Sequence, residues 1–224
     1  MEKIFAVAID GPAGAGKSTL AKRLSKELGV IYVDTGAMYR AMALFMLREG
    51  VDPEDAEALS KKCGDADITI DFVEGEQQVF LNGENVSSLI RTEEVSAMAS
   101  KSSVNPDVRA KLVQLQHKLS EERSLVMDGR DIGTVVLPDA AVKIYLTASS
   151  AVRAKRRYDE LKERGEECDL ARIESDIIAR DERDMKREIS PLKQAEDAVL
   201  LDSSDMTVEE VEARMMEIVR EKTA

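Results

Sequence analysis

Tryptophan is absent from the chain, histidine occurs once, cysteine twice, and all aromatic residues together make up 4% of 224 residues. With so few rings, the core must be built from aliphatic side chains. Cys63 and Cys168 stand far apart, without C-x-x-C spacing or partner histidines, so no zinc pattern is present and both read as reduced packing or surface thiols. The one histidine, His117, falls on a helical stretch and is expected to cover a helix face rather than to do acid–base work. No apolar run approaches the roughly 20 residues that span a membrane. Positive charge is in deficit: 32 Lys and Arg against 44 Asp and Glu leave a net charge of -12, which argues against coating nucleic acid by counterion release. Any anionic ligand must therefore meet locally placed arginines. No charged-then-apolar leader precedes the first apolar run, and the cytoplasm is the expected location.

What the chain does have is Gly11-Pro12-Ala13-Gly14-Ala15-Gly16-Lys17-Ser18-Thr19 after the apolar run Ile4 to Ile9 and before a helical pattern. It fits G-x-x-x-x-G-K-[ST], the phosphate-binding loop. Glycines let the backbone wrap around phosphate oxygens, and the amide hydrogens and positive end of the following helix face the anion together. Lys17 is expected to reach the β- and γ-phosphates of ATP, and Ser18 to offer its hydroxyl to Mg²⁺.

Along the rest of the chain, Lys17 to Leu28 has helical apolar spacing and stops at Gly29. Val30 to Val33 reads as a buried strand ending at Asp34-Thr35-Gly36, and Ala37 to Glu49 as the next helix. Thr35, Tyr39 and Arg40 then lie at a strand's carboxyl end, where open α/β sheets bind ligands. Pro53 to Lys62 suggests a short helix. Ile68 to Val73 and Gln78 to Leu81, separated by Glu74 to Gln77, read as a hairpin, with another turn at Asn82 to Asn85. An antiparallel element in an alternating chain points to an insert over roughly 63–90. Helices are expected over Thr92 to Ser102 and Asn105 to Glu122, and strands over Ser124 to Asp128, Ala141 to Leu146 and Val199 to Leu201. A closing helix spans Val208 to Lys222. The strand ending in Asp128 is followed by Gly129-Arg130-Asp131, and an apolar strand finishing in Asp is the usual second half of a phosphate-loop site, so Asp128 is the second expected metal residue.

The stretch from Ala151 to Glu188 is dense in charge. Most of it is expected to be solvated helix surface, where single ion pairs contribute only a few tenths of a kcal/mol, on the order of 0.3. Position singles out Arg180, Asp184 and Arg187 at i, i+4 and i+7, and Arg153 with Arg157 one turn apart. Gly165 marks a break between helices, giving an expected short lid over 151–168.

The phosphate loop, Asp34 to Arg40, Asp128 to Thr134 and Arg180 to Asp184, in that order, resemble the bacterial-type cytidylate kinases of the nucleoside monophosphate kinase family of P-loop NTPases. The resemblance covers nearly the whole chain, including the β-rich insert. It implies one α/β domain over 1–224 with a P-loop kinase fold: a five-stranded parallel sheet flanked by helices, and a small antiparallel insert in the nucleotide-monophosphate-binding region. It implies γ-phosphate transfer from ATP to CMP or dCMP with Mg²⁺, by a monomer. By motif position, Thr35, Tyr39, Arg40, Ser100, Arg109, Arg130, Asp131, Arg180, Asp184 and Arg187 would meet the monophosphate. Arg40, Arg109, Arg130 and Arg187 would serve the phosphates, Thr35 and Arg109 with Ser100 the base, and Arg180 with Asp184 the sugar. Lys17, Arg130, Asp131 and Arg187 are the expected catalytic set, and Arg153 and Arg157 would reach the ATP phosphates as the lid closes. Relatives often carry Ser where this chain has Thr35.

Two other readings are compatible with the loop alone. One is a kinase for a different small acceptor, since the loop identifies the donor. The other is a nucleotide-driven switch, against which stands the absence of a T/N-K-x-D guanine-reading motif.

Overall fold

The N-terminal apolar run forms β1 (Ala6–Asp10), whose Val7, Ala8 and Ile9 are fully buried. A strand buried on both faces is what a parallel sheet covered by helices requires. The computed structural model describes residues 4–223, so the first three residues and the last of the domain expected over 1–224 lie outside it. The main sheet has five strands in the order β2-β6-β1-β7-β8, with β2 at Ile31–Asp34, β6 at Leu125–Gly129, β7 at Val142–Thr147 and β8 at Val199–Asp202. The chain divides into two units, one running to Val30 and resuming at Leu125, the other Ile31–Ser124.

In the first unit β1 pairs in parallel with β6 and β7, and β7 with β8. The register sets Ile9 opposite Asp128 and Asp10 opposite Gly129, so the phosphate loop leaves β1 beside the acidic end of β6. Helix α1 (Lys17–Leu28) buries Leu20, Ala21 and Leu24, and Gly29 closes it in the left-handed conformation. After β6 the backbone makes a π-helical turn over Ile132–Val136, which the sequence did not signal. The charged stretch becomes α6 (Ser150–Glu163) and α7 (Leu170–Lys186), with Gly165 left-handed just past the first. The closing helix α8 (Val208–Thr223) buries Val211, Met215, Ile218 and Val219.

In the second unit the Asp34 carboxylate accepts from the Ala37 N–H and starts α2 (Thr35–Arg48), two residues earlier than its apolar pattern suggests. Asp55 likewise caps α3 (Ala56–Cys63) and moves its start past Pro53. Strands β3 (Ile68–Val73), β4 (Glu76–Leu81) and β5 (Glu84–Asn85) form an antiparallel sheet. Its two connections, Glu74-Gly75 and Asn82-Gly83, have positive φ at all four residues, as the tight hairpin turns matching strand twist demand. The second expected turn thus leads into a paired strand rather than a loop. Thr92 caps α4 (Glu93–Ser102), and Asn105 caps α5 (Pro106–Glu122) by accepting from the Asp107 and Val108 N–H groups. On α5 His117 is exposed, while Cys63 is buried, Cys168 half-buried, and both are free thiols.

Candidate active site

The loop between β1 and α1 is shaped by a close approach. Gly11 has φ +148°, and a Cβ there would stand 1.9 Å from the Leu146 carbonyl oxygen of β7. Lys17 is buried at the head of α1, and its Nζ donates to the Pro12 carbonyl at 2.7 Å across the loop. Burial is the main reason its pKa falls to about 7; the positive Arg130 lowers it further, while Asp128 and Asp10 oppose the fall. The Ser18 hydroxyl donates to Asp128 Oδ2 at 3.0 Å, so the two expected metal residues do converge. No cluster of three or more His, Cys, Asp or Glu suited to a metal occurs among the described residues. A hydroxyl beside one carboxylate suits a hard cation that keeps most of its shell as water and phosphate oxygens.

A cavity of about 380 Å³ lies against the loop, lined among others by Lys17, Ser18, Arg153, Arg156 and Arg157. Arg153 differs from the expectation that it swings in with a lid. It is 5% exposed and already anchored, donating to the Ala148 carbonyl at 2.8 Å and to the loop's Ala13 carbonyl at 3.0 Å, with Asp181 Oδ2 at 2.6 Å. Arg157 pairs with the exposed Glu160, and Arg156 donates to the Ser203 carbonyl at 2.8 Å.

Beyond β6, Arg130 Nε donates to Asp184 Oδ2 at 2.9 Å, joining two residues 54 positions apart. Arg187 lies outside the helix that holds Arg180 and Asp184: it is the C-cap of α7, in extended backbone, so the expected single face of i, i+4 and i+7 is broken at its last member. Its buried guanidinium still comes within 4.0 Å of the equally buried Asp131. Arg180 is exposed and contributes to the positive field at Lys17. Sequence reading missed Asp10, whose carboxylate accepts from the Ile132 and Gly133 N–H groups, each at 2.7 Å. Burial drives its pKa up to about 6 against those two amides. It closes an apolar strand just as Asp128 does, so the same pattern would have found it. Asp181, the partner of Arg153, carried no comparable signal on a helix crowded with charge.

In the second unit, Thr35 is buried at the start of α2, and Tyr39 and Arg40 follow within its first two turns. Arg40 Nη2 donates to Asp34 Oδ2 at 3.0 Å. Arg109 of α5 is 4% exposed, stacks 5.8 Å from the Tyr39 ring and donates to the Ser103 carbonyl at 3.4 Å. Ser100, half-buried on α4, lies in the turn before that carbonyl. Four of the expected acceptor residues therefore belong to this unit's α2 and α5, and Ser100 to α4.

Comparison with known proteins adds the following. The family model for cytidylate kinase matches residues 7–221. A cytidylate kinase of Caldicellulosiruptor bescii is 48% identical over 218 residues, covering 97% of this chain and 96% of that protein. A cytidylate kinase of Caldanaerobacter subterraneus subsp. tengcongensis is 51% identical over 217 residues, covering 97% and 95%. Among solved structures, an uncharacterized protein from Eubacterium ventriosum aligns with TM-score 0.55 at 13% identity, covering 98% of this chain and 99% of that one, a likeness of fold alone. No described helix is long and apolar enough to cross a membrane.

Proposed function

Because the chain belongs to the cytidylate kinase family, we propose that it transfers the γ-phosphate of ATP to CMP or dCMP, giving ADP and CDP or dCDP. The observation that carries the reading lies in the first unit: a phosphate loop with a buried lysine, and, past the end of β6 and along the end of α7, the buried or half-buried pairs Arg130–Asp184 and Asp131–Arg187. Phosphoryl transfer proceeds through a loose transition state and needs positioning and charge neutralisation more than a strong base. The residues answer that need. Residues 11–19 cradle the ATP phosphates, Lys17 holds the transferring group, and Arg153 and Arg157 line the donor side. Ser18 and Asp128 would hold Mg²⁺, which when bound supplies neutralising charge to the phosphates. Arg130, Asp131 and Arg187 serve the transferring and accepting phosphates, and Arg180 with Asp184 the sugar. Thr35, Tyr39, Arg40, Ser100 and Arg109 recognise the monophosphate and its base. Residues 63–90 form an insert of the acceptor-binding region, residues 151–168 a short lid, and the protein acts as a monomer in the cytoplasm.

An acceptor screen tests this. Purified protein with ATP and Mg²⁺ is expected to phosphorylate CMP far faster than AMP, UMP, GMP or shikimate, and Lys17→Ala to lower kcat at least about 100-fold while leaving the melting temperature nearly unchanged. Equal rates on all acceptors would defeat the assignment to cytidine nucleotides. ADP formation without any acceptor would favour a switch.

A further inference from the structure

The small antiparallel sheet does more than cover α2. Gln77, near the start of β4, uses both ends of its carboxamide on one residue: Oε1 accepts from the Asp34 N–H at 2.8 Å, and Nε2 donates to the Asp34 carbonyl at 3.2 Å. A side chain thereby pairs with main chain as a neighbouring strand would, at the junction where β2 becomes α2. Asp34 in turn divides its carboxylate. Oδ1 accepts from the Ala37 N–H and caps α2, and Oδ2 accepts from Arg40 Nη2 at 3.0 Å. Gly36 leaves room for that pair, since a Cβ there would stand 3.0 Å from Arg40 Nη1 and 3.1 Å from Asp34 Oδ1. Arg40 Nε is buried and has no hydrogen-bond partner among the described residues. At the far end of α2, Arg48 makes two bonds to Glu84 of β5, at 2.6 and 3.0 Å, but that pair is exposed. The Gln77 contact reaches the other end of α2, the one that carries Thr35, Tyr39 and Arg40.

From this we infer that Gln77 is a positioning residue for the acceptor nucleotide: it fixes Asp34, and Asp34 holds the Arg40 guanidinium where the acceptor's phosphate is received. The inference rests on the reading of Arg40 as a phosphate ligand. It gives the β insert a defined task, which is to set the direction of one arginine through one side-chain amide. A carboxamide is the group for this, because only it offers an acceptor and a donor side by side with the spacing of a peptide's own N–H and C=O. A glutamate keeps the acceptor, loses the donor, and brings a negative charge to the Asp34 carbonyl.

The test is calorimetric binding of CMP and of cytidine, which lacks the phosphate, to the full chain. Gln77→Ala and the size-preserving Gln77→Glu are expected to weaken CMP about tenfold. Cytidine and ATP should stay within about twofold, and KM for CMP should rise in step with the binding loss. In an Arg40→Ala background, adding Gln77→Ala is expected to change CMP binding no further, as two residues acting through one contact require. Glu84→Gln, on the same sheet at the exposed pair, should leave CMP binding as it is. Four results would overturn the inference: CMP affinity unchanged in both Gln77 variants, equal losses for CMP and cytidine, a full Gln77→Ala loss persisting in the Arg40→Ala background, or an equal loss from Glu84→Gln. If Arg40→Ala itself leaves CMP binding intact, the reading of Arg40 falls and the inference with it. If Arg40→Ala weakens CMP and the Gln77 variants do not, only the inference falls.

Discussion

Asp10 shows how one buried side chain can serve two parts of a site. Its carboxylate stands directly before the phosphate loop and holds two amides just past Asp131, so it joins the start of that loop to the turn that presents Arg130 and Asp131. Two good hydrogen bonds favour its charged form, yet burial outweighs them and its pKa rises from 3.8 to about 6. The sign follows. Between those values the folded chain binds the proton more tightly than the unfolded one, so this group's contribution to stability falls as pH rises from about 4 to 6 and stays lower above that. The difference corresponds to about 3 kcal/mol. Asp10→Asn does not titrate, so denaturant titrations of both proteins are expected to show the variant gaining on the parent by up to that amount between pH 4 and 7. A constant gap across that range would mean that Asp10 keeps an ordinary pKa. The strand-ending pattern that marks Asp128 marks Asp10 too, but its contact with two amides more than a hundred residues away was not legible in the sequence. Gln77 was invisible for a different reason: the β-rich pattern puts it in the hairpin connection, whereas β4 starts at Glu76, and nothing local says which backbone its amide will meet.

At the scale of elements, the loop is constrained most at its first residue. Replacing Gly11 with alanine would press a methyl carbon against backbone, at 1.9 Å from the Leu146 oxygen, and no flexible side chain is there to yield. Gly29, equally left-handed but with nothing within 4 Å, is the natural comparison. Gly29→Ala is expected to cost about 1 kcal/mol, the conformational term alone. Gly11→Ala should cost several times that, or displace the loop and abolish ATP binding; thermal melts and ATP calorimetry on both variants decide it. Elements governed by local chemistry were legible in advance. Asn82-Gly83 between β-rich runs gave its turn, Gly29 its helix end, and Asn105 with Pro106 a helix start. Boundaries slipped where a cap lay beyond the apolar pattern, as at Asp34 and Asp55. The π-helical turn at Ile132–Val136 had no local signal, because it is held by the distant Asp10. Arg187 left its helix for a similar reason: helical spacing extends a pattern and cannot say where α7 stops.

For the whole molecule, the net charge of -12 means that two anionic substrates are received by a chain that repels them on average. Recognition must therefore be local, and partitioned between donor and acceptor. On the proposed reading Asp184 belongs to the acceptor side through its bond to Arg130, while the loop's main chain and Lys17 take the ATP phosphates. Asp184→Ala removes a charge-assisted hydrogen bond and is expected to weaken CMP by about 10- to 100-fold. ATP affinity should remain within about twofold by calorimetry. A matching loss of ATP binding would show that the two sides are not separable at this residue. The fold class and the phosphate loop were readable because glycine spacing and strand–helix alternation are properties of neighbouring residues. The bond from Arg130 to Asp184, 54 positions apart, was legible neither in periodicity nor in resemblance: the motif resemblance put both residues in one site but gave them separate roles, phosphate and sugar.

The Arg153 guanidinium has a mechanical consequence. It grips the Ala13 carbonyl in the loop with one nitrogen and Asp181 with another, and Asp181 is the next residue after Arg180 and three before Asp184. A planar, stiff group thus ties the phosphate loop to the middle of α7. On the proposed roles of the loop and of α7, this contact is the route by which the two ends of the site would sense one another, and linkage would make any such effect equal in both directions.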